Sequence, residues 1–322
     1  MSEYPVIGDV LKAKERIGKY IKHTPIIRGE KLEPMFGCEI YFKPEVLQIT
    51  GAFKLRGALN KALSMPKDVI SRGLIATSSG NHAQGLAYAA RMLGVKAIIV
   101  LPANAPKIKI ENTKVLGAEV VLYDGDTAAR WKKVYELADE NGYVPVHAFE
   151  DPVVMAGQGT IGLEILEDLK DVDTVIVPMG GGGLISGIAT AIKETKPSVR
   201  VIGAEPALTP KYYMSRINKK PTVLPLKNTI ADGLRISVPG QNPYPIIEKY
   251  VDEIITVEDE SIKEAMRLIA KNVKLIVEPA SAICIGTLIE KKLKVREGEK
   301  VCSVLSGGNW DLEDLAAVYA EK

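Results

Sequence analysis

Short runs of valine and isoleucine recur along this chain between longer segments of helical period, and that alternation restricts the fold more than any single motif does. A strand buried on both faces reads as a continuous apolar run, and parallel neighbours need a long crossover between them, which a helix supplies. Strands are predicted at 39–43, 73–77, 96–101, 119–123, 144–146, 173–178, 199–204, 253–257, 274–277 and 300–305. Helices are predicted at about 7–21, 54–64, 81–93, 105–116, 127–141, 157–169 and 184–195. Between 206 and 251, Pro206, Pro210, Pro221, Pro225, Pro239, Pro243 and Pro245 break the pattern, so this stretch reads as loop with short helices laid over one face. The expected fold is therefore α/β, with open, mostly parallel sheets flanked by helices. At 322 residues the chain is long enough for two lobes. We expect 72–149 to form the smaller lobe, and 1–71 with 150–322 the larger.

Ligands of open parallel sheets sit outside the carboxyl ends of the strands. Three motifs follow directly on a predicted strand: Ser78-Ser79-Gly80-Asn81-His82, the run Gly180-Gly181-Gly182-Gly183, and Ser306-Gly307-Gly308-Asn309. A fourth, Phe53-Lys54-Leu55-Arg56, opens a helix, so all four are expected to face one cleft. A lone lysine at a helix start is usually a solvated charge. Withdrawn from water and close to Arg56, Lys54 would have a lowered pKa and could form a Schiff base with an aldehyde.

The glycine run precedes an apolar helix beginning at Leu184. Bare amides at a helix N-terminus make an anion site without a charged side chain, which suits a phosphate monoester. The run lacks the Gly-Lys-Ser/Thr ending of a nucleotide loop and the spacing of a dinucleotide fingerprint. Hydroxyls and free amides at Ser78 and Ser79 suit a carboxylate, although serine and asparagine are also ordinary helix caps. His82 is by default structural. Ser306 offers a neutral hydroxyl; against a pyridine nitrogen it would leave that nitrogen largely unprotonated, which favours elimination of a β-substituent over a long-lived carbanion.

Composition removes other classes of partner. A formal net charge of +2, with both signs interspersed, gives no footprint for nucleic acid or anionic lipid. Cys38, Cys284 and Cys302 are too few and too scattered for a disulfide framework or a zinc site. The acidic, proline-containing N-terminus does not read as a secretion signal, and no apolar run reaches the roughly 18 residues of a membrane span. A cytoplasmic protein acting on a small molecule is expected.

Taken together, the four motifs resemble the fold-type-II pyridoxal-phosphate enzymes, and within them the threonine/serine dehydratase and serine racemase branch. Ala156-Gly157-Gln158-Gly159-Thr160 and Gly203-Ala204-Glu205-Pro206 add to the resemblance, which covers nearly the whole chain. It implies a two-lobed fold like that of the tryptophan synthase β chain, with the larger lobe binding pyridoxal 5'-phosphate and the smaller lobe on the substrate side. It implies that Lys54 carries the cofactor, Phe53 lies beside its ring and Asn81 holds the ring hydroxyl. Gly180, Gly181, Gly182, Gly183 and Leu184 would hold the phosphate, Ser306 the ring nitrogen, and Glu278 would belong to the cofactor site. The substrate carboxylate would sit on Ser78, Ser79, Asn81 and His82, with Arg130 near it.

The implied activity is dehydration and deamination of L-threonine, and of L-serine, to 2-oxobutanoate or pyruvate and ammonia. The alternative is racemisation of serine or a related amino acid, with Lys54 and Ser79 as opposed acid/bases. Racemases of this branch bind a divalent cation through the glutamate of Gly-Ala-Glu-Pro and an aspartate six residues on. Here Glu205 is followed at that spacing by Lys211, whose ammonium cannot ligate a metal and could even substitute for it, so the cation is left open. Ala52 stands where the family usually has serine. The resemblance also implies a homodimer or homotetramer. Because the chain ends soon after Ser306, no C-terminal regulatory domain and no feedback inhibition by isoleucine are expected.

Overall fold

A computed structural model describes residues 4–103, 105 and 107–321. It contains two sheets. Six strands, β1 (Ile27–Arg28), β2 (Glu39–Pro44), β7 (Thr174–Pro178), β8 (Arg200–Pro206), β9 (Glu253–Val257) and β10 (Lys300–Leu305), are ordered β1-β2-β10-β7-β8-β9. Four more, β3 (Leu74–Thr77), β4 (Ala97–Pro102), β5 (Glu119–Tyr123) and β6 (Val144–Pro145), are ordered β5-β4-β3-β6. Every pairing is parallel except β1 with β2, where Ile27 lies opposite Phe42. β3 and β7 are buried along their whole length, which is why their sequences are apolar apart from one terminal threonine each.

Three expectations need correcting. Residues 274–277 are not a strand: Lys274 ends the helix Asp259–Val273 in the left-handed region at φ 65°, and the chain then runs to Glu278 outside either sheet. Leu275, Ile276 and Val277 look β-forming, but that composition does not supply a neighbouring strand edge. The first helix stops at Ile17, because Gly18 begins a turn. The helix expected from 157 starts earlier, at Pro152, where the Asp151 carboxylate accepts the Val153 N–H at 2.8 Å and proline occupies the first turn.

The helices Pro152–Asp168 and Gly183–Thr195 are buried almost throughout and cross at glycines. A methyl group on Gly187 would run into the Met155 carbonyl and the backbone of Gly159, so the two backbones touch only because both positions lack a side chain. On the other side, the helix Lys54–Ser64 shares an apolar cluster with the four-stranded sheet through Leu55, Ala58, Leu59 and Ala62. Its amino-terminal residue, Lys54, is thereby fixed where the two sheets face each other.

Beneath that helix lies a buried group of charges. Arg56 is fully buried and makes paired bonds to two carboxylates: to Glu45 at 2.8 Å through Nε and Nη2, and to Glu164 at 2.6 and 2.9 Å through Nη1 and Nη2. Lys43 Nζ lies 2.6 Å from Glu164 and donates to the Thr24 carbonyl at 2.5 Å. Among the buried members two cations face two carboxylates, the balance on which burial of charge is tolerated, while the partly exposed Asp168 lies 3.8 Å from Lys43 Nζ.

Candidate active site

One cavity of about 320 Å3 gathers the start of the Lys54–Ser64 helix and the residues just past the carboxyl ends of β3, β7 and β10. Phe53, Lys54, Ser78, Ser79, Asn81, His82, Arg130, Gly180, Gly181, Gly182, Gly183, Leu184, Glu278 and Ser306 all line it. Of the candidate site residues named from sequence, Glu205 lies elsewhere, with Lys211 beside it.

Lys54 donates to the Ala148 carbonyl at 3.0 Å, and its Nζ lies 5.0 Å from the centre of the Phe53 ring. Desolvation lowers its pKa to about 8, against the opposing attraction of the Glu278 carboxylate. Of the two causes expected from sequence, withdrawal from water acts and closeness to Arg56 does not. Arg56 is turned away into the buried charge group, so burial rather than a neighbouring cation makes Lys54 a readily deprotonated amine.

The glycine turn is shaped by what surrounds it. Gly182 has φ 94°, a left-handed backbone that suits glycine, and it caps the helix Gly183–Thr195. A methyl group on Gly181 would collide with the Phe149 ring, and one on Gly180 would lie 3.0 Å from the Gly233 carbonyl. Loops from two directions thus press on bare backbone at a helix N-terminus, where free amides and the helix dipole favour an anion. A phosphate monoester fits that chemistry, and a primary amine of lowered pKa lines the same cavity; these residues suit pyridoxal phosphate.

The remaining side chains are tied to one another. Asn81 Nδ2 donates to both oxygens of Glu278 at 3.0 Å, and Asn81 Oδ1 accepts from Asn309 at 2.9 Å. Burial pushes the Glu278 carboxyl up to about 7, with Asp232 adding to the rise and the Asn81 bond and Lys54 opposing it. Ser306 Oγ lies 3.1 Å from Ser281 Oγ, and the Ser306 carbonyl accepts the Phe53 N–H at 3.0 Å. His82 is buried, with Nε2 2.8 Å from the Val146 carbonyl; desolvation, then Lys54, lower its pKa to about 3, so it is neutral. Arg130 donates to the Gly125 carbonyl at 2.6 Å and to Thr127 Oγ1 at 3.1 Å, while its buried Nε has no hydrogen-bond partner.

Glu205 does not fit a divalent cation. Its carboxylate, fully buried, accepts from Lys211 Nζ at 2.9 Å, from the Tyr212 N–H at 3.0 Å and from the Tyr213 N–H at 2.9 Å. Its accepting sites are thus turned to cationic and amide donors, which point hydrogens where a metal would sit. Among the described residues, no group of three or more His, Cys, Asp or Glu is arranged to hold a metal ion.

Several lining residues were not singled out from sequence: Thr127, Trp131, Ala148, Phe149, Asp232 and Ile236. Ala148 and Phe149 follow β6, so the rule that ligands lie past carboxyl ends points to them. Trp131 stacks on His147 with ring centres 4.1 Å apart, and His147 meets Phe149 edge-on. Asp232 sits in a short turn within the proline-rich stretch, where no periodicity marks it.

The model of a family described as "Pyridoxal-phosphate dependent enzyme" matches residues 17–307. Over 309 residues the chain is 43% identical to an L-threonine ammonia-lyase from Geobacter sulfurreducens, covering 96% of this chain and 77% of that one. It is 40% identical to a serine racemase from Arabidopsis thaliana, covering 96% and 95% of the two chains. Among solved structures, a serine racemase from Dictyostelium discoideum superposes with a TM-score of 0.91 at 36% identity, over 96% of this chain and 99% of that one.

Proposed function

Because this chain belongs to the pyridoxal-phosphate-dependent enzyme family, we propose that it is an L-threonine ammonia-lyase, also acting on L-serine, with 2-oxobutanoate or pyruvate and ammonia as products. The observation that carries this reading is the single cavity in which an amine of pKa about 8, a glycine turn at a helix N-terminus and a neutral serine hydroxyl meet. The similarity to an L-threonine ammonia-lyase at 43% identity selects the substrate.

When bound, pyridoxal phosphate supplies an electron sink next to the substrate's Cα. The amides of residues 180–184 would hold its phosphate, Asn81 its ring hydroxyl, and Phe53 would pack beside the ring. Ser306 would offer the ring nitrogen a hydroxyl rather than a carboxylate, which would restrain the sink and favour loss of the β-hydroxyl. Lys54 would hold the cofactor's aldehyde carbon, and its free amine, largely neutral at mildly alkaline pH, would take the substrate's α-proton as general base. Ser78 and Ser79 at the start of the helix Asn81–Leu93 would receive the substrate carboxylate, with Arg130 lining the same cavity as a further cation.

In this reading 72–149 forms a substrate-side lobe beside the cofactor-binding lobe of 1–71 and 150–322, and the protein works as a homodimer or homotetramer in the cytoplasm. Among the described residues no helix is long and apolar enough to cross a membrane.

Racemisation of serine is the second reading, favoured by Ser79 in the cavity wall and by the 40% identity to a serine racemase. The test of the first is Lys54→Ala: cofactor capture and oxo-acid formation are both lost while the folded structure persists. Retained turnover would remove Lys54 from the mechanism.

A further inference from the structure

Residues Glu205 and Lys211 form a fully buried ion pair outside the cavity, and the reaction as described leaves it without a role. Where it sits is informative. β8 ends beside β7, and β7 runs straight into the glycine turn. Lys211 opens the helix Lys211–Asn218, whose first amides, from Tyr212 and Tyr213, join the ammonium in satisfying Glu205.

From that anchor the helix start grips the glycine turn at two points. Lys211 Nζ reaches the Met179 carbonyl at 3.4 Å, immediately before Gly180. Tyr212 OH donates to the Gly181 carbonyl at 2.8 Å and accepts the Gly240 N–H at 2.9 Å. Tyr212 OH also fills the space where a side chain on Gly182 would go. The ammonium is thus the charge at the centre of a clamp: it neutralises Glu205, touches the strand end directly, and holds the first turn that carries Tyr212.

We infer that Lys211 is a built-in cation that replaces a divalent metal ion beside Glu205 and acts as a positioning residue, keeping the turn at 180–183 in its phosphate-binding shape without any added ion. The inference rests on the reading of that turn as the phosphate cradle. Removing one partner of a buried pair leaves an uncompensated charge, so the turn would loosen if the ammonium were lost. A carboxylate at the same position would instead create a pair of acids that needs a hard cation between them.

The experiment measures the dissociation constant of pyridoxal phosphate and the thermal midpoint of the holoenzyme in EDTA, then with magnesium or calcium added. The unaltered protein is expected to give the same values in all three conditions. In Lys211→Met, which keeps length and loses charge, cofactor affinity falls about tenfold or more and added metal does not restore it. In Lys211→Asp, affinity falls in EDTA and returns with calcium or magnesium. Tighter cofactor binding by the unaltered protein with metal, by about tenfold, overturns the inference and needs no variant to fold. Undiminished affinity in Lys211→Met overturns it as well. Gly181→Ala separates this from the cradle reading: if that variant keeps full cofactor affinity, the cradle reading is the one that falls.

Discussion

Asn81 and Glu278, 197 positions apart in the chain, meet through one amide nitrogen that donates to both carboxylate oxygens at 3.0 Å. Asn81 opens the helix after β3 and Glu278 precedes the helix Pro279–Ile289, so the bond joins the four-stranded sheet to the six-stranded one at the floor of the cavity. Burial there raises the Glu278 pKa to about 7 even though the Asn81 bond opposes the rise.

That raised value predicts a pH signature. A carboxyl whose folded pKa lies above its unfolded pKa of 4.5 stabilises the fold fully below 4.5, and the contribution is lost as pH rises through 7. Glu278→Gln cannot ionise but keeps an acceptor for Asn81. Apoenzyme unfolding free energies are therefore expected to shift in favour of the variant between about pH 5 and 7, by at most about 1.4 kcal/mol per pH unit. Parallel pH profiles for the two proteins would show that Glu278 is not strained in its ionised form.

Lys54 makes the complementary prediction. Only the neutral amine attacks an aldehyde, and burial brings its pKa from 10.5 to about 8. The rate at which apoenzyme captures pyridoxal phosphate is expected to rise with pH and level off above about 8. A rise continuing toward 10 would mean the amine is solvated in the free enzyme.

Arg56→Met tests the buried charge group. The change leaves Glu45 and Glu164 without their shared cation, with only Lys43 and Thr24 still in contact, and is expected to cost about 3–5 kcal/mol of stability. Because the Lys54–Ser64 helix rests on this group, cofactor capture should weaken in proportion. Chemical denaturation of the apoenzyme measures the first effect, and cofactor titration the second. An unchanged unfolding midpoint would count against a structural role for the cluster.

Much of this was readable in the sequence. The parallel strands buried on both faces announce themselves as apolar runs, and the four motifs at strand or helix ends locate the cavity before any coordinates. What escaped reading depends on contacts distant in sequence. β1 is two residues long and exists only through its antiparallel pairing with β2. Residues 274–277 carry strand-like side chains, yet lie outside both sheets. Arg56 is held away from Lys54 by Glu45, eleven residues back, together with Glu164, more than a hundred residues on, and no local period encodes that pairing. Asp232 reaches the cavity from an irregular stretch with no period at all.

Ser79→Ala separates the two chemistries the cavity admits. If Ser79 only helps receive the carboxylate, the variant raises KM for threonine several-fold and leaves kcat for oxo-acid formation nearly intact, a split that reports lost binding rather than lost chemistry. If Ser79 is an acid/base on the face opposite Lys54, formation of the D-amino acid disappears while elimination persists. Steady-state kinetics with chiral analysis of the amino acid distinguishes the two.

The most direct test of the central claim is an assay of the purified protein with L-threonine and then L-serine, following 2-oxo acid and amino-acid chirality together, with and without magnesium. The predicted result is 2-oxobutanoate from threonine and pyruvate from serine, no accumulation of D-serine, and rates indifferent to magnesium. D-serine as the main product, or no oxo acid from either substrate, would contradict it.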